Sequence, residues 1–180
     1  MARKVIDRNT EVVITSNIYA SFNYSDRGIH FELSEFGDED YLTFGELKTL
    51  STSKSKRVLQ NMHILVTEVL TEEDIELEDV LEQLKLDKHY KIVRDLFGVE
   101  EVITDSFKDF LKESSAKEIK EVFKKHSFLK SILSETAVEL YKKSDIDAGV
   151  MEEILTGLGI KDVYSFLDDI RASQKPIEAQ

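Results

Sequence analysis

Up to about residue 70 the apolar side chains alternate with polar ones; beyond Leu70 they recur every three or four positions. Alternation of period two puts one face of a strand in a core, because successive side chains point to opposite sides. Ile29-His30-Phe31-Glu32-Leu33 is the cleanest run, and Val12-Val13-Ile14 and Phe22-Asn23-Tyr24 fit the same pattern. Spacing of three and four marks amphipathic helices. The chain is therefore expected to be α+β, a small N-terminal antiparallel β-rich domain followed by an irregular helical bundle. The boundaries expected from the pattern are 1–70 for the β-rich domain, 71–172 for the helical domain and 173–180 for a flexible tail.

Within the first part, strands are predicted over Glu11 to Ser16, Tyr19 to Tyr24, Ile29 to Leu33 and Met62 to Val69. Ser25-Asp26-Arg27-Gly28 supplies a hairpin turn, with Gly28 free to take positive φ. Phe36-Gly37-Asp38-Glu39-Asp40 reads as an acidic loop. Thr43 followed three residues later by Glu46 has capping-box spacing, which starts a helix burying Phe44, Leu47 and Leu50. After a polar break at Ser51 to Ser55, a short helical turn runs to Gln60.

In the second part, Thr71 to Asp79 is an acidic connector running into the first of several short helices. Leu77 to Leu84, Lys88 to Phe97 and Asp105 to Glu113 are helical, the second stopped by Gly98. Ser115 and Glu118 repeat the capping box. A stripe from Phe128 to Tyr141, then Asp147 to Leu158 and Asp162 to Ala172, complete the bundle, with Val150, Leu158 and Phe166 among the expected core residues. The single proline, Pro176, lies in the polar tail, so proline breaks none of these helices.

Composition narrows the possible partners. The 180 residues suffice for one compact domain or two small ones, and 41% apolar content excludes a wholly disordered chain. A net charge of -12 argues against tracking nucleic-acid phosphates and against anionic membranes. Cysteine is absent, which removes disulfides and thiolate metal sites. Met1-Ala2-Arg3-Lys4 leads into strand sequence without an apolar signal segment, and no apolar run approaches a membrane span. A soluble protein of a reducing compartment is the expectation.

Candidate chemistry is sparse. His30, His63, His89 and His126 lie far apart without metal-ligand spacing. Asp145-Ile146-Asp147-Ala148-Gly149 begins like a calcium loop, but its glycine falls one place early and Thr156 stands where a bidentate glutamate belongs. A polar turn leading into a helix explains it. Glu72, Glu73, Asp74, Glu76, Glu78 and Asp79 form a solvated acidic loop or a docking patch for a basic partner. Ser53-Lys54-Ser55-Lys56-Arg57 is the one place for a phosphate, with too few charges for general DNA affinity. Glycine-rich phosphate loops, G-x-S-x-G and nucleophile–base pairs are missing. The expectation is a protein that is not an enzyme and has no catalytic, metal or cofactor site.

The order of elements resembles a family of small structural proteins from tailed bacteriophages of low-GC Gram-positive hosts. The resemblance rests on Val12-Val13-Ile14, Ser16-Asn17, Phe22, Tyr24, Arg27, Gly37 and the "T-x-x-E-L" run Thr43-Phe44-Gly45-Glu46-Leu47. In the helical half it rests on Phe110-Leu111, Ser115, Glu118-Ile119, Ala137-Val138-Glu139-Leu140, and Ile154-Leu155 with Gly159. A proline-glycine turn often found before the capping box is replaced here by Phe36-Gly37-Asp38. The resemblance implies a virion or head-associated structural role, with the host cytoplasm as the place of assembly.

On that expectation the chain binds capsid, portal or tail proteins, as a homo-oligomer or in multiple copies within a symmetric assembly, without membrane or nucleic-acid partners. Tyr19, Tyr41 and Arg57 are the candidate contact residues, since aromatics and arginine dominate interface energies. The alternative is a phage-encoded adaptor or inhibitor that binds a host protein through an acidic surface. A nucleic-acid-binding regulator is the third possibility.

Overall fold

The computed structural model describes residues 4–173. Met1 to Arg3 and residues 174–180, including Pro176, lie outside the described residues, so the expected tail falls there except for Ser173. The architecture is α+β: a small antiparallel β region followed by helices.

β1 (Glu11–Ser16) is the middle of a three-stranded sheet, paired antiparallel to β4 (Glu39–Thr43) and β5 (Ile64–Leu70). Val12, Val13 and Ile14 are all buried, so β1 is covered on both faces. That is why its apolar run is continuous rather than alternating. β2 (Phe22–Asp26) and β3 (Ile29–Leu33) form a separate hairpin. In β3, Ile29, Phe31 and Leu33 are buried while His30 and Glu32 are exposed, as the alternation predicts. Arg27 and Gly28, the two-residue loop, have φ of +53 and +80, the left-handed pair that a tight hairpin favours. Tyr24 and Phe22 stack on Phe31 with ring centroids 5.4 and 5.9 Å apart.

Strand boundaries depart from the prediction in three places. The second strand begins at Phe22, because residues 17–21 make the turn between β1 and β2. The acidic loop is half strand. Gly37 N–H reaches Ser16 O at 2.9 Å, Ser16 N–H reaches Asp38 O at 2.8 Å, and β4 continues that pairing along β1. Only Leu42 of β4 is buried, opposite Val12, so pairing with a distant strand makes this element rather than its own composition. The last strand starts at Ile64, because Met62 takes a left-handed turn at φ +59.

α1 (Phe44–Thr52) begins with the predicted box: Glu46 N–H donates to Thr43 Oγ1 at 3.2 Å, and Thr43 N–H donates to Glu46 Oε2 at 2.8 Å. Phe44, Leu47 and Leu50 are buried. The helix runs two residues further than predicted and is followed by a 3-10 turn (Lys54–Lys56) and α2 (Arg57–Gln60). α3 (Leu77–Leu84) and α4 (Asp87–Phe97) belong with the sheet: the Tyr90 hydroxyl accepts the Val66 N–H at 2.6 Å, and Tyr90 is 1% exposed. The first compact unit thus runs to Ser106, past the division expected at residue 70, where β5 ends.

The second unit, from Phe107, holds most of α5 (Thr104–Glu113), then α6 (Ala116–Lys125), α7 (Lys130–Lys142), α8 (Ala148–Gly157) and α9 (Val163–Ser173). Its core takes Phe107, Leu111, Phe123, Ile132, Leu140 and Met151. Val150 and Leu158 are only half-buried, and Phe166 is 37% exposed, against expectation. α9 has a buried stripe of Val163, Leu167 and Ile170, which leaves Phe166 on its flank.

α6 packs on α8, and a Cβ added at Gly157 would meet Phe123 Cδ2 at 3.6 Å, an ordinary contact. Gly157→Ala is therefore expected to raise the stability by about 0.5–1 kcal/mol, seen as a higher urea midpoint. Gly149→Ala should fall short of that gain, because its Cβ would press on Asp147 Oδ1 at 3.2 Å, the atom that caps α8.

Candidate interaction surface

The three predicted contact residues all belong to the first unit. Tyr41 is 56% exposed on β4. Arg57 is exposed at the start of α2. Tyr19 is half-buried, its ring stacked on Phe36 at 4.5 Å, so part of its face is already used inside the fold. These positions sit on different elements: the loop after β1, an outer strand and a short helix.

Both outer strands of the three-stranded sheet carry exposed apolar side chains, Tyr41 on β4 and Leu70 (38% exposed) on β5. The two edges are finished differently. Along β4 the N–H groups of Glu39, Tyr41 and Thr43 donate to the carboxylates of Asp38, Asp40 and Glu46 at 3.1, 2.8 and 2.8 Å. Every second amide of the strand is thereby occupied, which blunts this edge against pairing with another chain. Along β5, Tyr90 takes the Val66 N–H, and the strand then borders a cleft of about 680 Å³. Val69, Leu77, Tyr90 and Val102 give this cleft an apolar lining. Ile103 stands beside them, 48% exposed. Glu68, Glu76, Glu78, Glu100 and Glu101 add carboxylates around it. Arg94, the cation of the lining, is paired with Glu78. The cleft joins residues from 67 to 103, a separation no short motif spans.

The acidic stretch after β5 is partly structural. Lys4 Nζ lies 3.1 Å from Asp79 and 3.6 Å from Asp74, and Asp79 accepts the Glu76 N–H at 2.9 Å. That amide bond first, and Lys4 second, hold the Asp79 carboxyl below the usual carboxylate range. In the second unit the Ser115 hydroxyl and N–H lower Glu118 in the same way. Both acids bind protons more weakly in the folded chain than in the unfolded one. Their contribution is complete above the ordinary carboxylate pKa and is lost as pH falls through the depressed folded value. The urea midpoint should accordingly drop as the pH falls below about 5, and Asp79→Asn with Glu118→Gln should flatten that drop.

The remaining candidates resolve into local structure. Asp147 Oδ1 accepts the Val150 N–H at 2.9 Å and caps α8, while Asp145 pairs with Lys112 at 3.2 Å, the helix-start turn expected. Ser53 Oγ accepts the Ser55 N–H, and Lys54, Lys56 and Arg57 point into solvent. His30 is exposed; His63, His89 and His126 are half-buried, and burial depresses the pKa of His89 despite Asp87 nearby. Among the described residues, no three histidines or carboxylates converge as a metal cluster would, and no helix is long and apolar enough to cross a membrane. Asn17, quoted above for the resemblance and not as a site residue, is fully buried; its Nδ2 donates to Met62 O at 2.9 Å and its N–H to His63 O at 2.9 Å, holding the left-handed turn before β5. No family model, curated protein or solved structure matches this chain.

Proposed function

We propose that the chain is a non-enzymatic structural component of a tailed-phage particle, binding capsid, portal or tail proteins through its first unit. The supporting observation is the display of Tyr41, Leu70 and Ile103 in water on and beside the outer strands of a well-packed sheet. Large apolar side chains presented from a rigid element are the usual anchors of protein interfaces. Repetition of the chain in a symmetric assembly sums weak contacts into stable attachment.

Mass spectrometry of purified particles tests this reading: the chain is expected in stoichiometric amount, and its absence overturns the proposal. Tyr41→Ala is expected to reduce its incorporation while leaving the monomer's thermal unfolding within about 0.5 kcal/mol of the parent, since the side chain is solvated. The adaptor reading draws on the acidic cleft beside β5. It would be favoured by a chain abundant in infected cells and missing from particles.

A further inference from the structure

β5 has the sequence Ile-Leu-Val-Thr-Glu-Val-Leu, and its two halves have different surroundings. Ile64, Leu65 and Val66 are buried. After a register shift opposite Val13 and Ile14, Glu68 and Leu70 are exposed, and Glu68 lines the cleft. Among the described residues β5 pairs with β1 alone, which leaves its other edge without a strand. Unlike β4, it has no row of carboxylates on its outward amides: the hydroxyl of Tyr90 takes Val66 N–H, and no side-chain hydrogen bond reaches the amide of Val69, while Glu68 and Leu70, opposite Val13 and Glu11, turn theirs toward β1.

We propose that this edge is a docking groove for an extended basic segment of a partner protein, added as a strand beside Glu68–Leu70. This deepens the reading of the chain as a protein-binding module and rests on it. Two features select that occupant. The apolar lining of Val69, Leu77 and Val102, with Ile103 beside it, suits alternate apolar side chains of a strand, whose period is two. The other alternate side chains of such a strand face carboxylates. Glu68, Glu76, Glu100 and Glu101 surround the cleft, and its one arginine is occupied by Glu78. Lysine or arginine at those positions is complementary, while acidic segments are repelled. A second copy of this chain suits the groove poorly. Its basic run, Lys54 to Arg57, is held in helical turns rather than extended, and each copy carries a net charge of -12.

The test uses the full chain and a short fluorescein-labelled peptide of alternating lysine and valine, with a glutamate–valine peptide as counterpart. Anisotropy should show binding of the first and not the second, with hydrogen exchange slowed at Val69, the outward amide of this half of β5. Glu68→Lys with Glu101→Lys should weaken binding by roughly tenfold or more. Glu32→Lys with Glu35→Lys, the same charge change on exposed residues of the hairpin side, should leave it within about twofold. Ile103→Asp, at a side chain already in water, should also weaken it. Equal losses in both charge-reversal pairs, unchanged exchange at β5, or self-association through this edge in sedimentation would overturn the proposal. Particle composition separates the two readings. A chain present in particles that fails the peptide assay removes only the groove; a chain absent from particles that passes it removes only the phage assignment.

Discussion

Tyr90→Ala is expected to destabilise the first unit by about 3–5 kcal/mol, and Tyr90→Phe by about 1–3 kcal/mol. The two variants separate two roles of one side chain. Tyr90 is 1% exposed, so truncation removes a whole buried ring and leaves a cavity between α4 and β5. The phenylalanine keeps the ring and deletes one oxygen. That oxygen accepts the Val66 N–H at 2.6 Å, on the side of β5 that has no neighbouring strand in this sheet. A buried amide left without a partner forfeits its desolvation energy, which exceeds the net value of an ordinary hydrogen bond. Burial drives the phenol pKa upward, so the hydroxyl stays neutral throughout the physiological range. Urea unfolding measures the loss, and faster exchange at the Val66 amide in Tyr90→Phe would assign it. Unchanged exchange would show that the hydroxyl is dispensable there.

Phe123→Ala is expected to cost about 3–5 kcal/mol in the second unit. Its ring is 3% exposed on α6, next to the place where Gly157 of α8 offers no side chain. A glycine opposite a phenylalanine lets two helices approach closely, and truncating the ring leaves space that the glycine cannot fill. The sum is much larger than the gain expected from Gly157→Ala, so helix propensity cannot rescue the cavity. Combining the two changes should recover less than about 1 kcal/mol of the loss. Full recovery would mean that the helices close over the site.

Local chemistry made much of the fold legible. Thr43 with Glu46 and Ser115 with Glu118 start helices where predicted, because a capping box satisfies its amides within four residues. Arg27-Gly28 turns the hairpin, and the alternation of Ile29 to Leu33 points the right side chains inward. Gly98, at φ +67, ends α4 for an equally local reason. β4 was not legible, since Glu39 to Thr43 offers one buried residue and acquires its ladder from β1, some thirty residues away in sequence. Phe166 misled because spacing reports a face and not what covers it.

The candidate surface was less legible still. Residue type alone singled out Tyr19, Tyr41 and Arg57, and stacking on Phe36 withdraws part of Tyr19. Nothing local to Glu68, Glu76 or Glu101 distinguishes them from solvated acids elsewhere in a chain of charge -12. They gain meaning from the open edge of β5 and the apolar lining beside it.

Short-range rules, acting over a turn or two of chain, thus account for where strands and helices begin, what stops them and which faces are apolar. Packing decided which strand is central, that α3 and α4 join the sheet, and how two edges of that sheet come to differ. The reason is physical: capping and periodicity are satisfied by neighbours in sequence, whereas an edge, a cleft and a buried tyrosine hydroxyl exist only once distant segments have met.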